Sequence, residues 1–303
     1  MKNSELNRRH FLRTSALLTG AAMLSPLAIP RSFAAATKRT AADQVMLGKT
    51  GVKLSRLGIG TGTNNGHVQT AEGKERFIKL IRHAYDQGIT YIDTAHRYET
   101  FHWIRDAIKD LPREKLFLQS KVPDPPHDVL AAIDQHRKAF NTDYIDSLLV
   151  HCMTRGNWTD QWKRVMDGFD EAKQRKWISA KGVSCHSLPA LKTATASDWT
   201  EVHLVRINPQ GKYMDGPTPI WDGSGTTKID PVMEQIQTMH AKGHGVIGMK
   251  IFGNGEFHDV AEREKSMRYA MSHEEINAIV IGFSKPEQID DAIKLMNRVL
   301  AEG

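Results

Sequence analysis

Three apolar runs in this chain stop abruptly at ionisable residues. Tyr91-Ile92 runs into Asp93, Leu116-Phe117-Leu118-Gln119-Ser120 into Lys121, and Ser147-Leu148-Leu149-Val150 into His151, with Tyr98 shortly after Asp93. A phenol has a reference pKa near 10, too high for efficient proton transfer close to neutrality. An ammonium beside it favours the phenolate and lowers that value, and a buried carboxylate pairs with the ammonium and fixes it. A neutral imidazole can donate a hydrogen bond to a carbonyl oxygen and stabilise negative charge developing there. Asp93, Tyr98, Lys121 and His151 together suit delivery of a proton to a carbonyl oxygen while another group delivers hydride to the carbon. Singly, each has a plainer reading, since a strand-end aspartate often caps a helix and a lone lysine often extends to water. Their shared place, at the ends of three successive strands, is what joins them.

That place must be supplied by a parallel sheet or barrel, whose C-terminal strand ends are the usual catalytic edge. Short apolar runs bounded by turn signals predict strands at 57–61, 89–93, 116–120, 146–150, 178–184, 202–207, 245–250 and 278–282,. Phe77, Ile78, Ile81, Ala84 and Tyr85 mark the first helix, which Gly88 closes,. Further helices are expected near 101–110, 127–140, 161–175, 188–195, 231–242, 260–272 and 286–300,. Eight strands, each followed by a helix, have the length and rhythm of a single-domain α/β (β/α)8 TIM barrel over 37–303. An open doubly wound sheet would want Gly-x-Gly-x-x-Gly opening a helix, and Gly58-x-Gly60-x-Gly62 does not fit,. That glycine alternation instead marks a strand whose backbone something approaches closely. Ahead of it, two short apolar arms around Lys49-Thr50-Gly51 read as a hairpin,. Ser284-Lys285-Pro286-Glu287 reads as a helix start with a Ser-x-x-Glu capping box, whose free N–H groups would suit a phosphate,.

The first 36 residues stand apart. Asn7-Arg8-Arg9-His10-Phe11-Leu12 is a twin-arginine pattern, the apolar run 16–30 follows, and Ala34-Ala35-Ala36 offers a small-residue cleavage site,. The run is too short and too interrupted to span a bilayer. A Tat signal peptide over 1–36 is therefore expected, with export to the periplasm and no stable membrane insertion after cleavage. The formal charge is +6 for the 303 residues, and loss of that segment leaves +2, so no nucleic-acid footprint is indicated,. The two cysteines, Cys152 and Cys185, supply neither a disulfide framework nor a metal motif,. They end neighbouring strands, so a redox pair is conceivable, although buried free thiols are the ordinary state. Trp158 and Trp162 could wall a pocket or simply pack a helix. His96, His151 and His186 lack metal-ligand spacing, so no metal is expected.

Taken whole, the chain resembles the aldo-keto reductase family. The resemblance rests on Leu47-Gly48-Lys49-Thr50-Gly51, Ser55-Arg56-Leu57-Gly58-Ile59-Gly60-Thr61, Tyr91-Ile92-Asp93-Thr94-Ala95 with Tyr98, the two runs ending in Lys121 and His151, Lys181-Gly182-Val183-Ser184, and Ile281-Gly282-Phe283-Ser284-Lys285-Pro286-Glu287-Gln288. It implies reduction of an aldehyde or ketone by hydride from NADP(H), or from NAD(H), with Tyr98 as general acid and Asp93, Lys121 and His151 as its partners. It also implies cofactor contacts at Thr61, Ser184, Arg206, Lys250, Gly282, Ser284, Lys285, Gln288 and Asp291. Gln288 and Ala292 stand where the family often has Arg and Asn, Cys185 where it has Asn, and Arg206 where Gln is common. Lys250 and Arg206 could add positive charge over the pocket and favour an anionic substrate, or simply pair with nearby carboxylates. The implied partners are a small carbonyl substrate and the Tat export machinery. Two other functions fit the same polar rim: an exported binding or regulatory barrel without efficient turnover, and a cofactor-independent lyase or isomerase.

Overall fold

The computed structural model describes residues 39–220 and 225–302, so the twin-arginine segment expected at 1–36 lies outside the described residues. A hairpin comes first, β1 (Gln44–Met46) antiparallel to β2 (Lys53–Ser55). The barrel strands are β3 (Leu57–Gly60), β4 (Tyr91–Asp93), β5 (Phe117–Val122), β6 (Ile145–Met153), β7 (Ile178–Cys185), β8 (Val202–Arg206), β9 (Gly245–Met249) and β10 (Ala278–Gly282). Neighbours pair in parallel, and β10 pairs with both β9 and β3, which closes the ring and excludes the open sheet. The helices are α1 (His67–Thr70), α2 (Lys74–Asp86), α3 (Ile104–Ile108), α4 (Val129–Phe140), α5 (Trp158–Gln161), α6 (Lys163–Gln174), α7 (Leu188–Ala196), α8 (Asp230–Lys242), α9 (Val260–Ser272) and α10 (Pro286–Glu302).

Periodicity explains which faces meet. In α2 the buried residues are Phe77, Leu80, Ile81 and Ala84, one stripe at helical spacing laid on the sheet,. Asp128 caps α4 by accepting from Ala131 N at 2.9 Å, and Ser187 caps α7 by accepting from Ala190 N at 3.2 Å,. Along β5 the side chains alternate. Leu118 and Val122 join the core beneath the helices, whereas Phe117 joins the core inside the barrel,. The same alternation sends Gln119 and Lys121 inward, and the strand thus carries the interior from apolar to polar in two steps.

The lower barrel interior is filled by Tyr91, Phe117, Leu149, Ala180, Val202 and Leu204 among others, and Leu47 and Leu54 of the hairpin belong to the same cluster. The hairpin therefore plugs one end of the ring. Burying each such leucine contributes about 1.5–3 kcal/mol relative to leaving it exposed. With that end sealed, the polar groups have only the C-terminal strand ends at which to meet solvent.

Candidate active site

The polar layer begins one step above the apolar plug. Gln119 Nε2 donates to Tyr91 Oη at 2.8 Å and to Asp93 Oδ1 at 2.9 Å. Lys121 Nζ reaches Asp93 Oδ1 at 2.7 Å, Asp93 Oδ2 at 2.8 Å and the Thr94 carbonyl at 2.8 Å. All three ammonium protons are thereby placed. The pair is deeply buried, Lys121 at 1% and Asp93 at 6% exposure. Such a pair is tolerated because its charges and lone pairs are satisfied, and removing one partner would strand the other at a cost of about 3–5 kcal/mol.

Tyr98 folds back over this pair. Lys121 Nζ lies 5.1 Å from the centroid of its ring, and its hydroxyl lies 3.5 Å from His151 Nε2. The Tyr98 and His151 rings meet edge to face at 5.6 Å. Glycines in and just after the first barrel strand explain how the rings fit. A Cβ on Gly58 would collide with the Tyr91 ring, and one on Gly62 with the Tyr98 ring. Burial pushes the Tyr98 phenol well above its usual 10.0, and Asp93 and Cys152 push the same way. Lys121, paired with Asp93 beneath the ring, does not outweigh that burial. His151 is held well below 6.5 by burial, Lys121 and Arg97, so it is neutral as expected.

Above these groups lies a cleft of about 740 Å³ over the strand ends. Tyr98, Lys121 and His151 line one part, and Leu204, Met249, Phe252 and Phe257 supply apolar wall. The Ser184 hydroxyl, on the cleft wall, is buried without a hydrogen-bond partner. Arg263, Lys294 and Arg298 line the cleft from α9 and α10. The arrangement can donate a proton to a polarised oxygen at Tyr98 and hold an extended, anionic ligand beside it.

The family model for the aldo/keto reductase family matches residues 56–267. The chain belongs to the aldo/keto reductase family. It is 28% identical over 145 residues to a 9,11-endoperoxide prostaglandin H2 reductase of Trypanosoma cruzi, covering 46% of this chain and 48% of that one. It thus spans about half the length of that relative. Over 265 residues it is 24% identical to the uncharacterized oxidoreductase YtbE of Bacillus subtilis, covering 76% of this chain and 89% of that one. A solved aldo-keto reductase from Bacillus halodurans, in its holo form, superposes with a TM-score of 0.66 at 15% identity. That match covers 86% of this chain and 95% of that one, and at such identity the likeness speaks to the fold alone.

In this aldo/keto reductase the residues expected at the cofactor fall into two groups. Ser184, Lys250, Gly282, Gln288 and Asp291 line the cleft, whereas Thr61, Arg206, Ser284 and Lys285 are not on its wall. Thr61 donates through both its N–H and its hydroxyl to the Asp93 carbonyl, each at 3.0 Å, and so ties β3 to β4. Arg206 and Asp215 are both 1% exposed, with Arg206 Nε 3.6 Å from Asp215 Oδ1. Burial raises the Asp215 carboxyl to about 7, against the opposing pull of Arg206. Arg206 also donates to His186 Nδ1. A guanidinium cannot accept, so the neutral imidazole carries its proton on Nε2, which lies 3.5 Å from Cys152 Sγ,. At the start of α10 the capping differs from the Ser284–Glu287 box expected. Gln288 Oε1 accepts from Ser284 N at 2.8 Å, Lys285 N at 3.3 Å and Ser284 Oγ at 3.2 Å. Pro286 opens the helix one position later than the box requires, which places Gln288 rather than Glu287 in the capping register.

Both cysteines are free thiols. Trp158 and Trp162 are buried in the core against the helices, and Trp158 Nε1 donates to the Ala190 carbonyl at 3.2 Å, so both tryptophans are packing residues. Among the described residues no cluster is suited to a metal ion. Sequence reasoning missed Gln119, Asp215 and the part played by His186. The strand-end rule that found His151 would have found His186, just past the end of β7. Nothing in the loop carrying Asp215 announces that it turns inward.

Proposed function

We propose that this chain reduces an aldehyde or ketone with hydride from NADPH, or alternatively NADH, and that Tyr98 supplies the proton. The observation that carries this reading is the Asp93–Lys121 pair directly beneath the Tyr98 ring, with neutral His151 beside the hydroxyl. The partnerless Ser184 hydroxyl on the cleft wall fits the amide of a nicotinamide,. Ser184, Gly282, Gln288, Asp291 and the cations Arg263, Lys294 and Arg298 would hold the cofactor, which supplies the hydride when bound. His151 orients the carbonyl oxygen towards Tyr98. The raised phenol is protonated at neutral pH, and as its proton leaves, Lys121, held under the ring by Asp93, lies where negative charge develops,. Leu204, Met249, Phe252 and Phe257 keep water from the reacting carbon,.

Fluorescence titration of NADPH and NADH, followed by a screen of aldehydes and ketones for cofactor oxidation, tests the reading. Saturable binding with turnover of at least one carbonyl is expected, and no binding of either nucleotide would sink it. We also propose that residues 1–36 direct Tat export to the periplasm, on the strength of Arg8-Arg9 and the apolar run behind them. Replacing both arginines by lysine should leave the protein in the cytoplasmic fraction.

A further inference from the structure

Lys250 stands directly after β9, and nothing in the proton transfer requires it. Its backbone is left-handed, with φ at +61°, a conformation costly for a side chain of this kind,. Its ammonium donates to Asn254 Oδ1 at 2.6 Å and forms no ion pair with a carboxylate among the described residues. The contrast with its neighbours is sharp. Lys121 is neutralised by Asp93, and Arg206 faces Asp215. Among the described residues the cleft wall holds two carboxylates, Asp93, which is committed to Lys121, and Asp291 on α10. Among the described residues, the charged and titratable groups that act on Lys250 are Arg206, Cys152 and Lys121. A half-buried ammonium on the cleft wall, without a carboxylate partner among the described residues, is stabilised most by an anion brought in with a ligand,.

We propose that the substrate is an anionic carbonyl compound, whose carboxylate or phosphate group pairs with Lys250 while its carbonyl faces Tyr98 and His151. The proposal rests on the reductase reading and assigns the substrate class to it. The carbonyl carbon gains hydride from the nicotinamide, the oxygen gains the Tyr98 proton, solvent later reprotonates Tyr98, and the anionic group leaves unchanged on the alcohol. The resemblance groups Lys250 with the cofactor contacts, and the surroundings of its ammonium point to the substrate instead.

Matched pairs decide it. With the mature protein and saturating NADPH, kcat/KM is measured for succinic semialdehyde against butanal and for 2-carboxybenzaldehyde against benzaldehyde. A preference for the anionic member of at least about tenfold is expected, the size of one charge-assisted hydrogen bond. Lys250→Met should bring the ratio close to one, Lys250→Arg should retain most of it, and the NADPH Kd from fluorescence should move little in either. A wild-type protein that does not distinguish the members of a pair overturns the proposal. So does a Lys250→Met variant that weakens NADPH and slows both members equally, since Lys250 would then serve the cofactor. Failure of the reductase reading looks different, with no nucleotide binding at all, and overturns both.

Discussion

Asp93 and Lys121 show how a pair of residues can be legible in sequence while its effect is not. The strand-end pattern brought Asp93, Tyr98, Lys121 and His151 together because three successive apolar runs stop at ionisable groups. What sequence could not show is that Thr94 turns its carbonyl to Lys121 and completes the ammonium's partners. With the ammonium paired in this way, burial outweighs it, and the pKa of the phenol rises rather than falls. The acid form is the one that reduces a carbonyl, and it persists at every pH below the raised value. The Tyr98 limb of the pH–rate profile for reduction should therefore be flat through neutral and mildly alkaline pH and fall only above 10.0. A decline centred near neutrality, in a rate limited by chemistry, would contradict this. Gly62 tests the placement of the same ring. Gly62→Ala puts a methyl into the Tyr98 ring. It should cut kcat by roughly tenfold or more, as a displaced proton donor does, with the thermal midpoint little changed.

At the scale of elements, the alternation of strand and helix was readable throughout because each strand is short and apolar and each helix carries one apolar stripe. Boundaries were less so. Pro286, fixed at the first position of α10, moves the cap to Gln288, a shift that depends on backbone register rather than on residue type. The hairpin was visible as two apolar arms, but its task as a plug was not, because the partners of Leu47 and Leu54 lie on distant strands. That task predicts a large effect from a small change. Leu54→Ala should destabilise the barrel by about 2–5 kcal/mol in denaturant titration. A loss below about half a kcal/mol would mean the hairpin is peripheral.

At the scale of the whole molecule, buried histidines make the fold sensitive to acid. His136 is fully buried, bonded through Nδ1 to Ser120 Oγ at 2.8 Å, and burial with His96 lowers its pKa to about 3. His203 is lowered well below 6.5 by burial and by the stacked His244. The unfolded chain takes up protons on both as pH falls through 6.5, while the folded chain does not,. Stability is therefore full above 6.5 and declines as pH falls towards about 3. The thermal midpoint of His136→Gln should decline less over that window than wild type, once its lower starting value is subtracted. The account as a whole turns on one proton. Rapid-mixing measurement of NADPH oxidation in a single turnover, for wild type and Tyr98→Phe with the same carbonyl substrate, tests it most directly. A fall in the hydride-transfer rate of about 10²–10⁴ with NADPH still bound is expected. A Tyr98→Phe rate within threefold of wild type would mean the proton comes from elsewhere.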